Sequence, residues 1–475
     1  MNLNYYVDIH CHPTLKPFGQ TFTGTPGTAE DDPTSIWFYD PPKLADKVID
    51  IALGFAPYSQ SNFTAAVYGD VLVMGVSIYS PEISFFDNKL GESEFSEEME
   101  SIISGFGVKR IREICNNNYD YFEDIKGQYE FLKKLHNQTV WINHRRAKYI
   151  IANSYNDIKN AMEESEHLTL AIILSIEGGH SLGCGYPGNP LTRHSKEHVM
   201  KHVEEIKSWE FPPFYITLAH HFYNELCGHT KSLYPPFDSI IDQSVGMNTS
   251  IRKLGYQVID KLLDDSNGNR ILIDVKHMSR QARKKYYHLL DTKYQNKDIP
   301  VIFSHGGVNG LGNFSGSGNN TRATVFNEWD INLFDEEIIR IASSRGIFGL
   351  NFDQRIMASR SAIRDARGSF TRHKMLYNWS KLIWNNIQHI AQVLDNANFE
   401  AWNNIVIGSD FDGVINPVNG FWTVEEMKQF EDYLMMHAYN FMNEGLLKSK
   451  NRLQSDEIVY KIMRENALGF FKQQT

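Results

Sequence analysis

Apolar residues along this chain gather into short unbroken runs rather than alternating ones, the pattern of strands covered on both faces. Eight such runs are bounded by turn chemistry: residues 5–9, 71–78, 169–176, 214–218, 271–275, 300–303, 346–351 and 404–407. Between most of them apolar positions recur with helical spacing, over 195–209, 250–264, 279–290, 335–344 and 379–394. Strands that alternate with helices pair in parallel through crossovers, and eight of them is the count that closes a (β/α)8 TIM barrel, an α/β fold. After the last run, helical spacing predicts extra C-terminal helices over 425–445 and 455–471.

No Pro/Ser/Gly-rich linker divides these units, so residues 1–475 are expected to form a single barrel domain, although length alone would allow about three. Residues 18–62, rich in Thr, Pro, Gly and Tyr, predict a loop insertion at the barrel mouth after the first strand. A glycine-rich stretch at 306–320 follows the sixth strand and reads as a surface loop or a lid.

Composition narrows the partners. Lys and Arg number 47 against 57 Asp and Glu, a net charge of −10, and basic residues gather only in short runs such as Lys109-Arg110 and Arg145-Arg146. That argues against a nucleic-acid or anionic-membrane partner and leaves a small ligand. The four cysteines, Cys11, Cys115, Cys184 and Cys227, form no CxxC pair, so neither a disulfide scaffold nor a thiolate zinc site is expected. No window approaches the roughly 18 apolar residues of a membrane span, and MNLNYYVDIHCHP lacks a signal-peptide pattern; a cytoplasmic protein is expected.

Reactive groups of such a barrel come from the C-terminal ends of its strands. The first run ends in Asp8-Ile9-His10-Cys11-His12, the third in Glu177-Gly178-Gly179-His180, the fourth in His220-His221, the fifth in His277, the sixth in His305 and the eighth in Asp410-Phe411-Asp412. His10 and His12, two apart on a strand, project from one face and can reach one ion; with His277 and His305 at other strand ends they predict a metal centre. Glu177 ends an apolar strand, where a carboxylate needs a cation: either a bridge between two metal ions or a basic side chain. Asp410 can accept a proton from an activated water and return it to a leaving amine. Asp412, beside Gly413, reads as a turn or capping group. His180, His221 and His229 read as core or surface hydrogen-bonding groups, or else as partners orienting a ligand imidazole. Cys11 and the stretch 211–215 read as packing.

Laid out in this order, the segments resemble the membrane dipeptidase family, also called renal dipeptidases, among the amidohydrolase-type metal-dependent hydrolases. The resemblance runs nearly end to end. It is carried by Asp8-Ile9-His10-Cys11-His12, Ser175-Ile176-Glu177-Gly178-Gly179-His180, Tyr215-Ile216-Thr217-Leu218-Ala219-His220, the segment from Ile271 to Ser279, Pro300-Val301-Ile302-Phe303-Ser304-His305, and Ile407-Gly408-Ser409-Asp410-Phe411-Asp412-Gly413. It implies a dinuclear zinc-dependent dipeptidase that cleaves the amide bond of dipeptides through a metal-bridging hydroxide. By motif, His10 and His12 hold one zinc ion, His277 and His305 the other, and Glu177 bridges them. His220 contacts the scissile carbonyl, and Asp410 is the proton shuttle. A dipeptide-like small molecule is the implied partner, with association into a homodimer left open.

Two departures from the family pattern bear on the metals and on the substrate. His12 stands where the family has Asp, which raises the site's net charge by one and bears on metal preference. The family's carboxylate-binding arginine aligns with Ile331, and Arg322 in the lengthened loop is the candidate replacement. The missing arginine and the enlarged first loop favour, as an alternative, a related amidohydrolase acting on N-acyl amino acids, lactones or cyclic amides. An inert ligand-binding barrel is a third reading, disfavoured by the full set of strand-end ligands.

Overall fold

The computed structural model describes residues 5–21, 26–87, 94–116, 118–187, 195–235, 237–266, 270–315, 324–368 and 371–475. Its strands are β1 (Tyr6–Cys11), β2 (Val71–Ile78), β3 (Val140–Ile142), β4 (Arg145–Ile151), β5 (Leu168–Glu177), β6 (Tyr215–Thr217), β7 (Leu272–Asp274), β8 (Ile302–Gly306), β9 (Ile347–Leu350) and β10 (Ile405–Ile407). Eight of these close a parallel barrel in the order β1-β2-β5-β6-β7-β8-β9-β10, with β10 returning to β1 through Ile407 and Asp8. They are the eight apolar runs of the sequence. Strands β1 and β2 are buried along their whole length, because barrel interior and helix layer cover opposite faces. The predicted helices appear as Lys196–Ser208, Lys253–Leu263, Arg280–Thr292, Asp335–Ser343 and Arg372–Asn396. Among the described residues, no helix is long and apolar enough to cross a membrane.

The hairpin β3–β4 escaped the search for apolar runs. Its strands alternate buried Val140, Ile142, Ala147, Tyr149 and Ile151 with exposed Trp141, Arg145 and Arg146, the signature of a strand wet on one face. It turns through Asn143 and His144, both at positive φ (46° and 59°), without the glycine that usually marks such a turn. Strand β4 then pairs with the first half of β5, below the point where β6 takes over the same edge.

The insertion after β1 is more ordered than its composition suggests. It carries helices Leu15–Thr21 and Leu44–Leu53, and Trp37, 1% exposed, packs edge-on against Phe63 at 5.4 Å. Its end is fastened to the β10 turn by Asp412. That carboxylate accepts Gln60 N–H (3.0 Å), Ser61 N–H (2.7 Å) and Ser61 Oγ–H (2.7 Å), and pairs with Lys16 Nζ at 2.9 Å. In the glycine-rich stretch after β8, residues 316–320 lie outside the described residues. The chain closes with helix Met427–Asn443 and with Ser455–Tyr460, which runs through a π-helical turn, Lys461–Glu465, into helix Asn466–Gln474.

Close approach of backbones fixes the strand ends that matter. A Cβ at Gly349 or Gly408 would lie 1.7 or 1.9 Å from the Ser304 carbonyl oxygen, so glycine at these places lets β9 and β10 close against the residue before His305.

Candidate metal centre

The strand ends bring His10, His12, Glu177, His220, His277, His305 and Asp410 to one point at the barrel mouth, every one of them buried. Glu177 lies at the middle. Its Oε2 faces His12 Nε2 at 3.0 Å and His10 Nε2 at 3.6 Å, while its Oε1 faces His277 Nε2 at 3.2 Å and His305 Nε2 at 3.4 Å. Asp410 Oδ1 stands 3.5 Å from His12 Nε2 and 4.0 Å from His10 Nε2. Two donor groups result, His10/His12/Glu177/Asp410 and Glu177/His277/His305, the ligand atoms of each lying within 4.8 Å of one another.

Hydrogen bonds behind the rings decide which nitrogens point inward. His12 Nδ1 lies 2.9 Å from the Ser77 carbonyl, which can only accept, so Nδ1 carries the proton. His10 Nδ1 lies 2.8 Å from the Tyr215 hydroxyl, which gives its own proton to the Ile9 carbonyl at 3.0 Å and so accepts from His10. His305 Nδ1 is held at 2.8 Å by Ser304 Oγ, whose proton goes to Asp274 at 2.5 Å. In each ring Nδ1 is engaged from behind and Nε2 is turned to the centre, the orientation a metal ligand needs.

Two further buried carboxylates stitch the strand ends together. Asp8 accepts His10 N–H (3.1 Å), Ser409 N–H (3.0 Å) and the Ser409 hydroxyl, tying β1 to the turn that carries Asp410. Asp274 accepts from Thr217, Lys276 and Ser304, joining β6, β7 and β8. His277 and Asp410 themselves take left-handed backbone, φ 62° and 63°, as do Asp412 (66°) and the β-branched Val414 (59°). Such conformations cost about 1–3 kcal/mol each and persist where the surrounding structure enforces them.

The electrostatics favour a cation. Burial alone would raise the Glu177 carboxyl, yet the imidazoles of His220, His10 and His305 hold it well below the usual range. Burial pushes His277 down to about 3 and His305 well below the ordinary histidine value, so both present neutral rings. At His12 burial also opposes the charge, but Asp410 and Glu177 outweigh it and push the group up to about 10. Positive charge is therefore stabilised between these two carboxylates. Buried Nε2 of His10 and His12 and Oε1 of Glu177 have no aligned hydrogen-bond partner, a donor set of imidazole and carboxylate that suits zinc and its neighbours.

His220 stands beside this cluster, its Nε2 3.7 Å from Glu177 Oε2 and its Nδ1 2.6 Å from Glu82 Oε2. Glu82 is buried and also accepts Phe222 N–H at 3.2 Å. Burial raises the Glu82 carboxyl and pushes His220 down to about 4. Both shifts favour the uncharged pair, in which a protonated carboxyl would donate to Nδ1 and Nε2–H would face the cavity. Asn351, just past β9, gives its Nδ2–H to Asp410 Oδ2 at 3.1 Å. Neither Glu82 nor Asn351 has a sequence pattern that announces it. Tyr215, read from sequence as packing, is buried and also orients His10.

Of the remaining candidates His221 joins His220 and His277 in a further possible donor group, while His180 and His229 are engaged by backbone carbonyls. His180 Nε2 is hydrogen-bonded to the Ser80 carbonyl (2.8 Å), His229 Nε2 to that of Gln243 (3.0 Å), and His221 Nδ1 lies 2.6 Å from Ser232 Oγ. Cys11 is buried, its thiol 3.5 Å from the Gly75 carbonyl. Over the cluster opens a cleft of about 200 Å³, walled chiefly by apolar side chains, with Ile331 in its wall and Arg355 and Asp353 at one side. Arg322 lies outside the described residues.

Barrel and donor set together define a candidate metal-binding site at the mouth of a parallel barrel. No protein-family model matches the chain, and a search of curated proteins finds no relative. Solved structures do resemble it. A metallo peptidase from Rhodobacter sphaeroides, solved with a phosphinate mimic of the dipeptide L-Ala-D-Ala, is 12% identical, with 99% of each chain covered and a TM-score of 0.56. Dipeptidase AC, also a metallo peptidase, is 11% identical over 99% of this chain and 98% of its own, with a TM-score of 0.52. The probable dipeptidase PvdM from Pseudomonas aeruginosa is 15% identical over 88% of this chain and 90% of its own, with a TM-score of 0.50. At such identities the likeness shows a common fold.

Proposed function

We propose that the protein is a dinuclear zinc-dependent dipeptidase. His10 and His12 would hold one ion, His277 and His305 the other, and Glu177 would bridge them. The observation that carries this reading is the division of the Glu177 carboxylate, one oxygen toward each histidine pair, with Nε2 of His10, His12 and His305 turned inward and Nδ1 engaged behind. When bound, the ions polarise the scissile carbonyl and acidify a water.

The chain's own groups do the rest. His220 Nε2–H donates to the carbonyl oxygen as negative charge develops there, held in that tautomer by Glu82. Asp410 takes a proton from the attacking water and passes it to the departing amine, and Asn351 fixes its second oxygen so that the first faces the cluster. A metallo peptidase of this fold bound to a dipeptide mimic, and a dipeptidase of this fold, support the choice of substrate.

The test is Asp410→Asn in zinc-loaded protein. Metal content measured by elemental analysis should stay near that of the parent, while dipeptide turnover falls by roughly a hundredfold or more, the scale of a lost general base. Undiminished dipeptide hydrolysis by this variant overturns the assignment.

A further inference from the structure

Among the described residues that line the cleft, Arg355 is the only arginine or lysine. It follows β9 by five residues, on the same segment that brings Asn351 to Asp410. Its guanidinium is fixed from two directions. Asp353 takes the side edge, accepting from Nε at 3.0 and 3.1 Å and from Nη2 at 2.6 Å. The Tyr234 ring lies 5.1 Å from Cζ and is itself stacked on Trp329 at 4.4 Å. Asp353 is further braced by the backbone N–H groups of Arg355 (2.8 Å) and Asn416 (3.2 Å).

A guanidinium presents two bidentate edges, and Asp353 consumes one. The other, formed by Nη1 and the second Nη2 proton, makes no hydrogen bond with any described residue, and the side chain remains 19% exposed. A rigid guanidinium with an open fork, in a cleft that ends at a hydrolytic centre, is built for a planar anion carried by the substrate. Most of the remaining wall is apolar, from residues such as Phe85, Phe106, Phe237, Ile240, Ile241 and Val414, with Glu100, Ser104 and Ser232 among its few polar members.

We propose that Arg355, positioned by Asp353 and Tyr234, binds the substrate's free carboxylate, and that the substrate is an amino acid acylated on its nitrogen, a dipeptide or an N-acyl amino acid, carrying a large apolar group. This rests on the hydrolase reading above.

The experiment compares zinc-loaded parent and Arg355→Met on two substrates with an apolar aminoacyl half, one ending in a free carboxylate and one in a carboxamide, with glycyl counterparts as controls. The parent is expected to prefer acid to amide, and the apolar to the glycyl substrate. Arg355→Met should lower kcat/KM for the acid roughly tenfold to a hundredfold and leave the amide nearly unchanged, since a charge-assisted pair is lost from one substrate alone. The acid-to-amide ratio is insensitive to the fraction of protein folded, and Arg355→Lys should restore part of it. An unchanged ratio in Arg355→Met, or a parent indifferent to the carboxylate, overturns the assignment of Arg355. Hydrolysis of none of the substrates by zinc-loaded parent overturns the hydrolase reading itself.

Discussion

Glu82 offers the sharpest test of the proton arrangement, because it touches His220 and none of the proposed metal ligands. With the shared proton on the carboxyl, Glu82→Gln is nearly isoelectronic. Its carbonyl can accept Phe222 N–H in place of Oε1, and its amide N–H can donate to His220 Nδ1 in place of the acid proton, so Nε2–H survives. This variant should keep kcat within a few-fold of the parent at neutral pH. The parent should also lose activity as pH rises through the raised pKa of the pair, because ionised Glu82 draws the proton to Nδ1 and strips it from Nε2. Glutamine cannot ionise, so that alkaline limb should vanish. Glu82→Leu removes the partner outright and leaves Nδ1 buried and unsatisfied, at a cost of about 1–3 kcal/mol, which corresponds to a fall in kcat of roughly fivefold to a hundredfold. In a His220→Ala background the leucine variant should cost little more, since its effect passes through that ring. The assays are steady-state kinetics across pH on zinc-loaded protein, with metal content measured alongside. A leucine variant as active as the parent, or a glutamine variant as impaired as the leucine one, refutes the reasoning.

Other consequences concern stability. In the chelated, metal-free protein His12 sits at about 10 in the folded chain against about 6.5 unfolded. Its contribution to stability is fully present below about pH 6.5 and is lost as pH rises through about 10. Thermal melts of chelated protein should therefore fall across that window relative to chelated His12→Asn; parallel curves for the two refute the assignment. Asp412→Ala leaves Lys16 without its carboxylate and two backbone N–H groups without an acceptor. A loss on the order of 3–5 kcal/mol is expected, read as a lower denaturant midpoint, with faster proteolysis inside the insertion after β1. An unchanged midpoint would show that Asp412 does not fasten that segment.

All eight barrel strands were legible because each is buried on both faces, which forces a continuous apolar run whatever the neighbouring strand turns out to be. The hairpin β3–β4 was not, since its outer face is wet and its turn lacks glycine. Helix Leu44–Leu53 inside 18–62 was hidden by a composition rich in Pro, Gly and Thr, and the end of that segment is held by the distant Asp412.

The sequence by itself determined the barrel and the identity of the strand-end donors, because side-chain alternation on a strand is local and a residue one step past an apolar run must emerge at the barrel mouth. It did not determine how those donors are oriented. Glu82 reaches His220 across 138 positions, Ser409 reaches Asp8 across 401, and Arg355 enters the cleft from a turn whose partners come from three other segments. Hydrogen bonds of that kind exist only once the sheet has closed, since closure alone sets which backbone and side-chain groups come within 3 Å of a given imidazole or guanidinium. Chemistry at this site therefore rests on residues whose types the sequence displays and whose protons, rotamers and partners the tertiary fold assigns.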